Sequence, residues 1–244
     1  MHISLKPEII GYFLGLPIAN SLILSLIVTL LLVGLAILAV KSLKMAPGKI
    51  QNSAESLIET LLDFMANALG DRKQAMQFFP LVASFFLIIL FNNWVGVMPG
   101  VGSIMLEGSH AERFPLFRAA NSDLNTTLAL AFVSVIAIQW YGVRKFGFFG
   151  HFSKFFVFTK GPIQLFVGLL ELVGELAKVL SFSFRLFGNV FAGEVLLVTI
   201  MTLVPIIAPL PFFLLEFFVG FIQALVFSML TLVFLKIATE TAEH

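Results

Sequence analysis

Ionisable side chains are rare in the apolar C-terminal half of this sequence, and their types suit the movement of small ions. One apolar stretch contains Glu171, Glu175, Lys178, Arg185 and Glu194. An ionisable side chain inside a membrane is costly, from about 2.5 to more than 10 kcal/mol for a central arginine. Five such residues in one helix indicate a function.

Side-chain chemistry predicts a role for each group in the last two apolar stretches. Arg185 has no acceptor and no accessible neutral form, so it cannot relay a proton and acts as a gate or counter-ion. Glu194 and Glu216 can gain and lose protons and are candidate relays. Asn189 and Gln223 offer uncharged donors and acceptors, which suit holding water or orienting the arginine.

Helical projection divides these groups between two surfaces. The repeat of about 100° per residue places Arg185 at about −40° and Asn189 at about 0° relative to Glu171. Lys178 falls in the same stripe at about −20°, whereas Glu194 lies at about +140°. Two separate polar surfaces are therefore expected on this helix.

Glu216 and Gln223 share a face of the last helix, because they are seven residues apart. A structural role is the alternative for such groups, since polar side chains in membrane spans also join helices at modest energy. For Asn189, Gln223 and Lys178 the two interpretations are equally favoured. Arg185, with acids on two separate faces, favours a functional role.

The composition is that of an integral membrane protein. Of 244 residues, 59% are apolar and 12% charged, whereas soluble domains carry about 25% charged residues. The absence of Cys and the net charge of +1 exclude a disulfide framework, a thiolate metal site and an electrostatic nucleic-acid binder. No phosphate-binding G-x-x-x-x-G-K-[ST] motif occurs, and the histidines are too scattered for a metal site: His2, His110, His151 and His244. Neither a cofactor nor catalysis is expected.

Gaps between charged residues predict the membrane helices, since a span needs about 20 mainly apolar residues. Five spans are expected in a single domain, 1–244, with an amphipathic helix at 48–69: they cover 16–40, 78–98, 124–143, 161–203 and 212–239. The amphipathic helix can pack on lipid or on protein. The fourth span would be roughly 64 Å long against a core of about 30 Å, and no proline interrupts it. The predicted fold is an all-α membrane protein with five membrane helices plus one amphipathic interfacial helix, the last two helices long and strongly tilted.

The distribution of basic residues predicts the orientation. With the N-terminus outside, only Lys6, Arg113 and Arg118 fall on the outer side. Ten basic residues then fall on the inner side: Lys41, Lys44, Lys49, Arg72, Lys73, Arg144, Lys145, Lys154, Lys160 and Lys236. The positive-inside bias favours an outside N-terminus and an inside C-terminus.

The stretch Ser183–Glu194, SFRLFGNVFAGE, resembles the signature of subunit a of the rotary F-type ATP synthase, in its membrane sector Fo. The stretch Asn121–Thr127, NSDLNTT, and Gln223 extend the resemblance. It covers most of the chain from about position 75, whereas the first 70 residues fit by layout.

The resemblance implies a proton-conducting stator subunit that forms two offset half-channels against a c-ring. Arg185 would face the ring and keep the half-channels separate. The outer half-channel would be lined by Glu194, Glu216, Gln223 and Asn189. Some members of the family carry a histidine at the position of Glu216. Both H⁺ and Na⁺ stay open as the conducted ion.

Secondary channel candidates follow from the same resemblance. Asp123 would lie near the outer mouth, and Glu171, Lys178 and Ser181 toward the inner half-channel. The implied partners are the c-ring, the peripheral-stalk b subunits and the lipid bilayer, with no nucleic acid. The implied location is an energy-transducing membrane, either a bacterial plasma membrane or an organelle inner membrane, and ATP chemistry would reside on partner chains.

A stand-alone ion channel or secondary transporter is the main alternative. The five predicted spans show no inverted repeat of the kind that such transporters use, which counts against it. A purely structural membrane subunit is a third hypothesis, and it would tolerate substitution of Arg185 and Glu216.

Overall fold

A computed structural model of the chain describes residues 7–13, 15–41, 43, 48–102, 104–107, 113–152, 162–204 and 207–240. These residues form six α-helices: α1 (Asn20–Lys41), α2 (Lys49–Leu69), α3 (Arg72–Val97), α4 (Leu124–Phe152), α5 (Pro162–Leu203) and α6 (Pro209–Thr239). All except α2 are long and apolar enough to cross a membrane, by length and composition. An all-α membrane protein with five membrane helices and one amphipathic helix is thereby confirmed.

Short β-strands, which the sequence pattern does not predict, lie beside α1 and between α3 and α4. Strand β1 (Ile9–Phe13) pairs antiparallel with β2 (Leu16–Ala19). Strand β3 (Pro99–Gly102) follows α3, and β4 (Met105–Glu107) pairs antiparallel with β5 (Arg113–Pro115). A short apolar strand cannot be told from the end of a membrane helix by hydropathy alone. Helix α1 begins at Asn20, later than the predicted start of the first span at residue 16, because residues 16–19 form β2.

Helix α1 is anchored by its first turn. Asn20 Nδ2 donates to the carbonyl of Pro115 at 3.1 Å, and Ser21 Oγ donates to the carboxylate of Asp123 at 2.6 Å. Leu24 and Val28 are buried against the bundle, whereas most other side chains of α1 are exposed. In a bilayer that exposed apolar surface must contact lipid or a partner helix.

Helix α2 packs on protein at its C-terminal end. Met65 and Leu69 are buried with residues of α3 and α6, whereas Leu57 and Ile58 are exposed. Gly70 follows the helix as its C-terminal cap, and its φ of 77° lies in the left-handed region that glycine adopts without strain.

The core lies among α3, α4, α5 and α6. Helix α6 packs chiefly against α3, and α5 packs chiefly against α4 and α6. Phe85, Leu186 and Phe227 are among its buried residues. Thr127 and Ser183 share a buried hydrogen bond of 3.0 Å between α4 and α5, which fixes the two helices relative to each other.

Helix α4 has non-helical geometry at Gly147, with φ 76° and ψ 164°. His151 lies beyond this break, and its Nε2 is 2.6 Å from Gln139 Oε1. A Cβ added at Gly142 would overlap the imidazole ring of His151. The segment after the break therefore folds back on α4. Lys154 and Lys160, two of the predicted inner-side basic residues, lie outside the described residues, as do Lys6 and Lys44.

Helix α5 runs unbroken for 42 residues, about 63 Å at 1.5 Å per residue. This is about twice the hydrocarbon thickness of about 30 Å, so strong tilt remains the prediction for its position in a bilayer. The helix distributes polar residues from Glu171 to Glu194 over about 35 Å of its length.

Candidate functional site

Glu216 is buried between α5 and α6 because a glycine faces it. The residue is 9% exposed, and a Cβ added at Gly193 would overlap its carboxylate. The missing side chain of Gly193 therefore allows an acid into the contact between two membrane helices, away from lipid.

Two amides join the same helices beside that acid. Asn189 Nδ2 donates to Gln223 Oε1 at 2.7 Å. Both amides, Glu216 and Asn93 line a cavity of about 10 Å³, about the volume that one water molecule needs. Gln223 Nε2 is buried and has no hydrogen-bond partner among the described residues. A buried donor and a carboxyl group beside a water-sized cavity suit proton transfer through water.

Helix α3 contributes polar groups that the sequence pattern does not single out. Asn93 Nδ2 donates to the carbonyl of Gly220 at 3.0 Å, and Asn93 Oδ1 accepts from Asn121 Nδ2 at 2.7 Å. Trp94 Nε1 donates to the carbonyl of Phe217 at 3.0 Å. The sequence does carry one indication of this network, the adjacent pair Asn92 and Asn93 inside an apolar span. Because a buried amide without partners is costly, such a pair predicts hydrogen bonds to neighbouring helices.

Arg185 lies on the exposed side of α5. Its Nη2 donates to Ser181 Oγ at 3.1 Å. In the described part of the chain, no carboxylate lies within ion-pair distance of its guanidinium. One hydroxyl partner leaves the positive charge uncompensated.

Small side chains lie to one side of Arg185 on that part of the helix surface. The exposed residues Ala177, Ser181, Gly188 and Ala192 fall with Arg185 within about 80° of helical projection. We call this the small-residue face of α5. Small residues let another membrane helix approach closely, so the face suits a helix that carries an anion to Arg185.

Glu194 lies in different surroundings from Asn189, in agreement with the helical projection. Its Oε2 lies 3.7 Å from Nε of Arg118, and the side chains are 30% and 5% exposed, respectively. The charge pattern predicts Arg118 only as an outer-loop residue. Its burial and its acidic partner are set by the fold, which brings the loop before α4 to α5.

The polar residues near the start of α5 pair with each other. Lys178 Nζ donates to the carboxylate of Glu175 at 2.7 Å and lies 4.6 Å from the ring centre of Phe234. This contact is an ion pair between neighbouring turns of the same helix. Glu171 lies one turn before Glu175 and is half-buried, and Ser181 contacts Arg185.

Asp123 is separated from the acids of α5 and α6. Its buried carboxylate accepts from Ser21 Oγ at 2.6 Å and from the backbone N–H of Asn125 at 2.9 Å. It borders a different, largely apolar cavity of about 850 Å³ among α1, α3 and α4. The structure thus brings Glu216, Asn189 and Gln223 to one cavity and Asp123 to another.

Among the residues that the structure describes, no group of three or more His, Cys, Asp or Glu residues could hold a metal ion. His151 contacts Gln139. His2, His110 and His244 lie outside the described residues.

Comparison with known proteins gives one consistent result. Residues 22–236 match the family model described as ATP synthase A chain. The chain is 36% identical over 220 residues to ATP synthase subunit a of Campylobacter jejuni subsp. jejuni serotype O:6, covering 89% of this chain and 88% of that protein. It is also 36% identical over 221 residues to ATP synthase subunit a of Gloeobacter violaceus, covering 91% of this chain and 84% of that protein.

Proposed function

Since this chain belongs to the ATP synthase A chain family, we propose that Arg185, Glu194 and Glu216 carry its part in proton translocation. The family is the proton-translocating stator subunit of Fo, and it is not catalytic. The chain is therefore a multi-pass subunit of the ATP synthase complex in an energy-transducing membrane.

The uncompensated charge of Arg185 on the small-residue face is the observation that carries the proposal. Its proposed partner is a membrane carboxylate on each subunit of a c-ring. Opposite charges about 4 Å apart attract by about 4 kcal/mol at an effective dielectric constant of about 20. That attraction favours release of the proton from each ring carboxyl group that reaches Arg185. The same fixed charge opposes direct proton leakage between the half-channels.

The outer half-channel is proposed to contain Glu194, Glu216, Asn189 and Gln223. With the N-terminus outside, the C-terminal end of α5 faces outward, so Glu194 lies about 13 Å along the helix from Arg185 on the outer side. The water-sized cavity beside Glu216 supports this path. Asp123 would lie near the mouth.

The inner half-channel is proposed to lie on the other side of Arg185, near Glu171, Lys178 and Ser181. Glu171 precedes Arg185 by about 21 Å along α5. Its half-buried carboxyl group can exchange a proton with water.

The proposed cycle combines these positions. A proton enters from outside and neutralises a ring carboxylate, which can then turn into lipid, where a charged side chain costs about 2.5–3.5 kcal/mol on insertion scales. After nearly a full turn the proton leaves through the inner half-channel. The membrane potential contributes about 2.3 kcal/mol per charge per 100 mV, so several protons are needed for each ATP.

The remaining proposed partners are the peripheral-stalk b subunits and lipid. Helix α1 supports these contacts, because it presents a long exposed apolar surface: Leu26, Leu30 and Leu38 are each at least 59% exposed. The small-residue face of α5 is the proposed contact surface for the c-ring.

Replacement of Arg185 tests the proposal in inverted membrane vesicles that contain the whole ATP synthase. Arg185→Ala should abolish ATP-driven proton pumping while the subunit still accumulates and co-purifies with the ring. Arg72→Ala is the matched control, since Arg72 pairs with Asp63 in an exposed contact at the α2–α3 junction. Coupled pumping at the parental rate in Arg185→Ala would contradict the proposal.

A further inference from the structure

Arg118 is a buried cation close to the proposed outer half-channel. Its side chain is 5% exposed, and its Nε lies 3.7 Å from Glu194 Oε2. That oxygen is buried and accepts no hydrogen bond from the described residues. The contact between the two residues therefore acts through charge, because 3.7 Å is too long for a hydrogen bond.

The loop that carries Arg118 is fixed by several contacts outside α5. Arg118 Nε also donates to Ser122 Oγ at 3.1 Å. Asn121 Nδ2 donates a hydrogen bond to Oδ1 of Asn93 on α3 at 2.7 Å. Ala119 packs so closely against α3 that a Cβ added at Gly96 would lie 2.6 Å from its Cβ. The guanidinium is thus held in part by contacts that do not involve α5, the helix that carries Glu194.

Two cations are candidates to compensate the charge of Glu194, namely Arg118 and Arg185. Among the described residues, the structure pairs Glu194 with Arg118. Arg185 is nine positions away and roughly 180° around α5, with Ser181 as its hydrogen-bond partner. Glu216 is the other acid close by, with its carboxylate against Gly193. Arg118 therefore compensates the negative charge of Glu194 in the proposed outer half-channel. The positive charge of Arg185 stays uncompensated.

We propose that Arg118 is a positioning residue for proton translocation, which acts through Glu194 by compensating its charge on the side of α5 opposite Arg185. Loss of this charge leaves a partly buried carboxylate without its cation, which is far less favourable than losing both partners. Since the contact is a point-charge contact, a lysine should replace the arginine. This inference rests on the proposed function, because it requires Glu194 to lie on the proton path.

The test measures passive proton flux through vesicles stripped of the F1 sector, normalised to the amount of the subunit in the membrane. Arg118→Gln and Glu194→Gln should each lower the flux, on the order of tenfold for Arg118→Gln, within the range of couplings in one charge network. Adding Arg118→Gln to Glu194→Gln should lower it no further. Arg118→Lys should conduct better than Arg118→Gln, because lysine keeps the positive charge. Arg72→Gln, which breaks an exposed ion pair, is the matched control and should leave the flux unchanged.

The outcomes separate two failures. If Glu194→Gln conducts like the parent, the role of Glu194 in the proposed function is wrong. If Glu194→Gln conducts poorly but Arg118→Gln conducts normally, only the positioning role of Arg118 is overturned. Additive losses, or an Arg118→Lys variant that conducts no better than Arg118→Gln, would also overturn it, since either result indicates a loop-folding role. If Arg118→Gln does not accumulate, Arg118→Lys decides the matter alone.

Discussion

The substitution Gly193→Ala changes the position of Glu216 without changing any polar group. The added Cβ would occupy the space of the Glu216 carboxylate. Ordinary van der Waals separation is about 3.5–4.0 Å between carbon atoms, so the carboxylate would have to move by well over 1 Å. The neighbouring cavity of about 10 Å³ is too small to accept a carboxylate.

The expected cost of Gly193→Ala is larger for function than for stability. The overlapping atoms belong to the end of a flexible side chain, so the loss of stability should be near the lower limit of about 1–3 kcal/mol for overpacking. A misplacement of about 1 Å can reduce a rate about 100-fold. We expect normal accumulation of the subunit and a decrease in ATP-driven proton pumping of about ten- to hundredfold.

A second substitution tests whether crowding is the cause. Glu216→Asp shortens the acid by one methylene, so the added cost of Gly193→Ala should be smaller in the Glu216→Asp background than in the parent. Gly34→Ala on α1 is the control for the same chemical change, because a Cβ there meets nothing within 4 Å. Parental pumping by Gly193→Ala, or an equal cost in both backgrounds, would refute this reasoning.

Three further substitutions test contacts around the site. Asp123→Ala removes the bonds to Ser21 and to the start of α4 and should lower the unfolding free energy by about 1–3 kcal/mol, measured by thermal unfolding in detergent. Asn93→Ala removes two buried hydrogen bonds and should lower the unfolding free energy by a similar amount. A smaller loss would show that this hydrogen-bond network contributes little to stability. Gln223→Leu breaks the bond to Asn189 and should reduce proton pumping while the subunit accumulates normally; unchanged pumping would exclude the amide pair from the path.

The helical architecture could be predicted from the sequence because charge is so scarce. Charge-free stretches mark the first three spans, and the absence of proline between Pro162 and Pro205 predicts the continuous α5. The projection that separates Asn189 from Glu194 also agrees with their contacts, since one bonds to α6 and the other pairs with the loop before α4.

Features that depend on tertiary contacts could not be predicted. Hydropathy cannot distinguish the strand at Leu16–Ala19 from the start of a membrane helix, because both are apolar. The break at Gly147 follows a single glycine in an otherwise helical pattern. Arg118 has the sequence context of an outer-loop residue, and the packing of its loop against α3 and α5 buries it beside Glu194.

The contact between the small-residue face and the c-ring can be measured most directly by cysteine cross-linking, since the chain contains no cysteine of its own. Ala192→Cys lies on this face, about 10 Å along α5 from Arg185. Paired with a cysteine on the ring helix about two turns from the ring carboxyl group, at the level of Ala192, it should form a disulfide cross-link when an oxidant such as copper phenanthroline is added. The cross-link should stop ATP-driven proton pumping. Ile136→Cys, at a 64% exposed position on α4, should form none. Cross-linking at Ile136 and none at Ala192 would contradict the account.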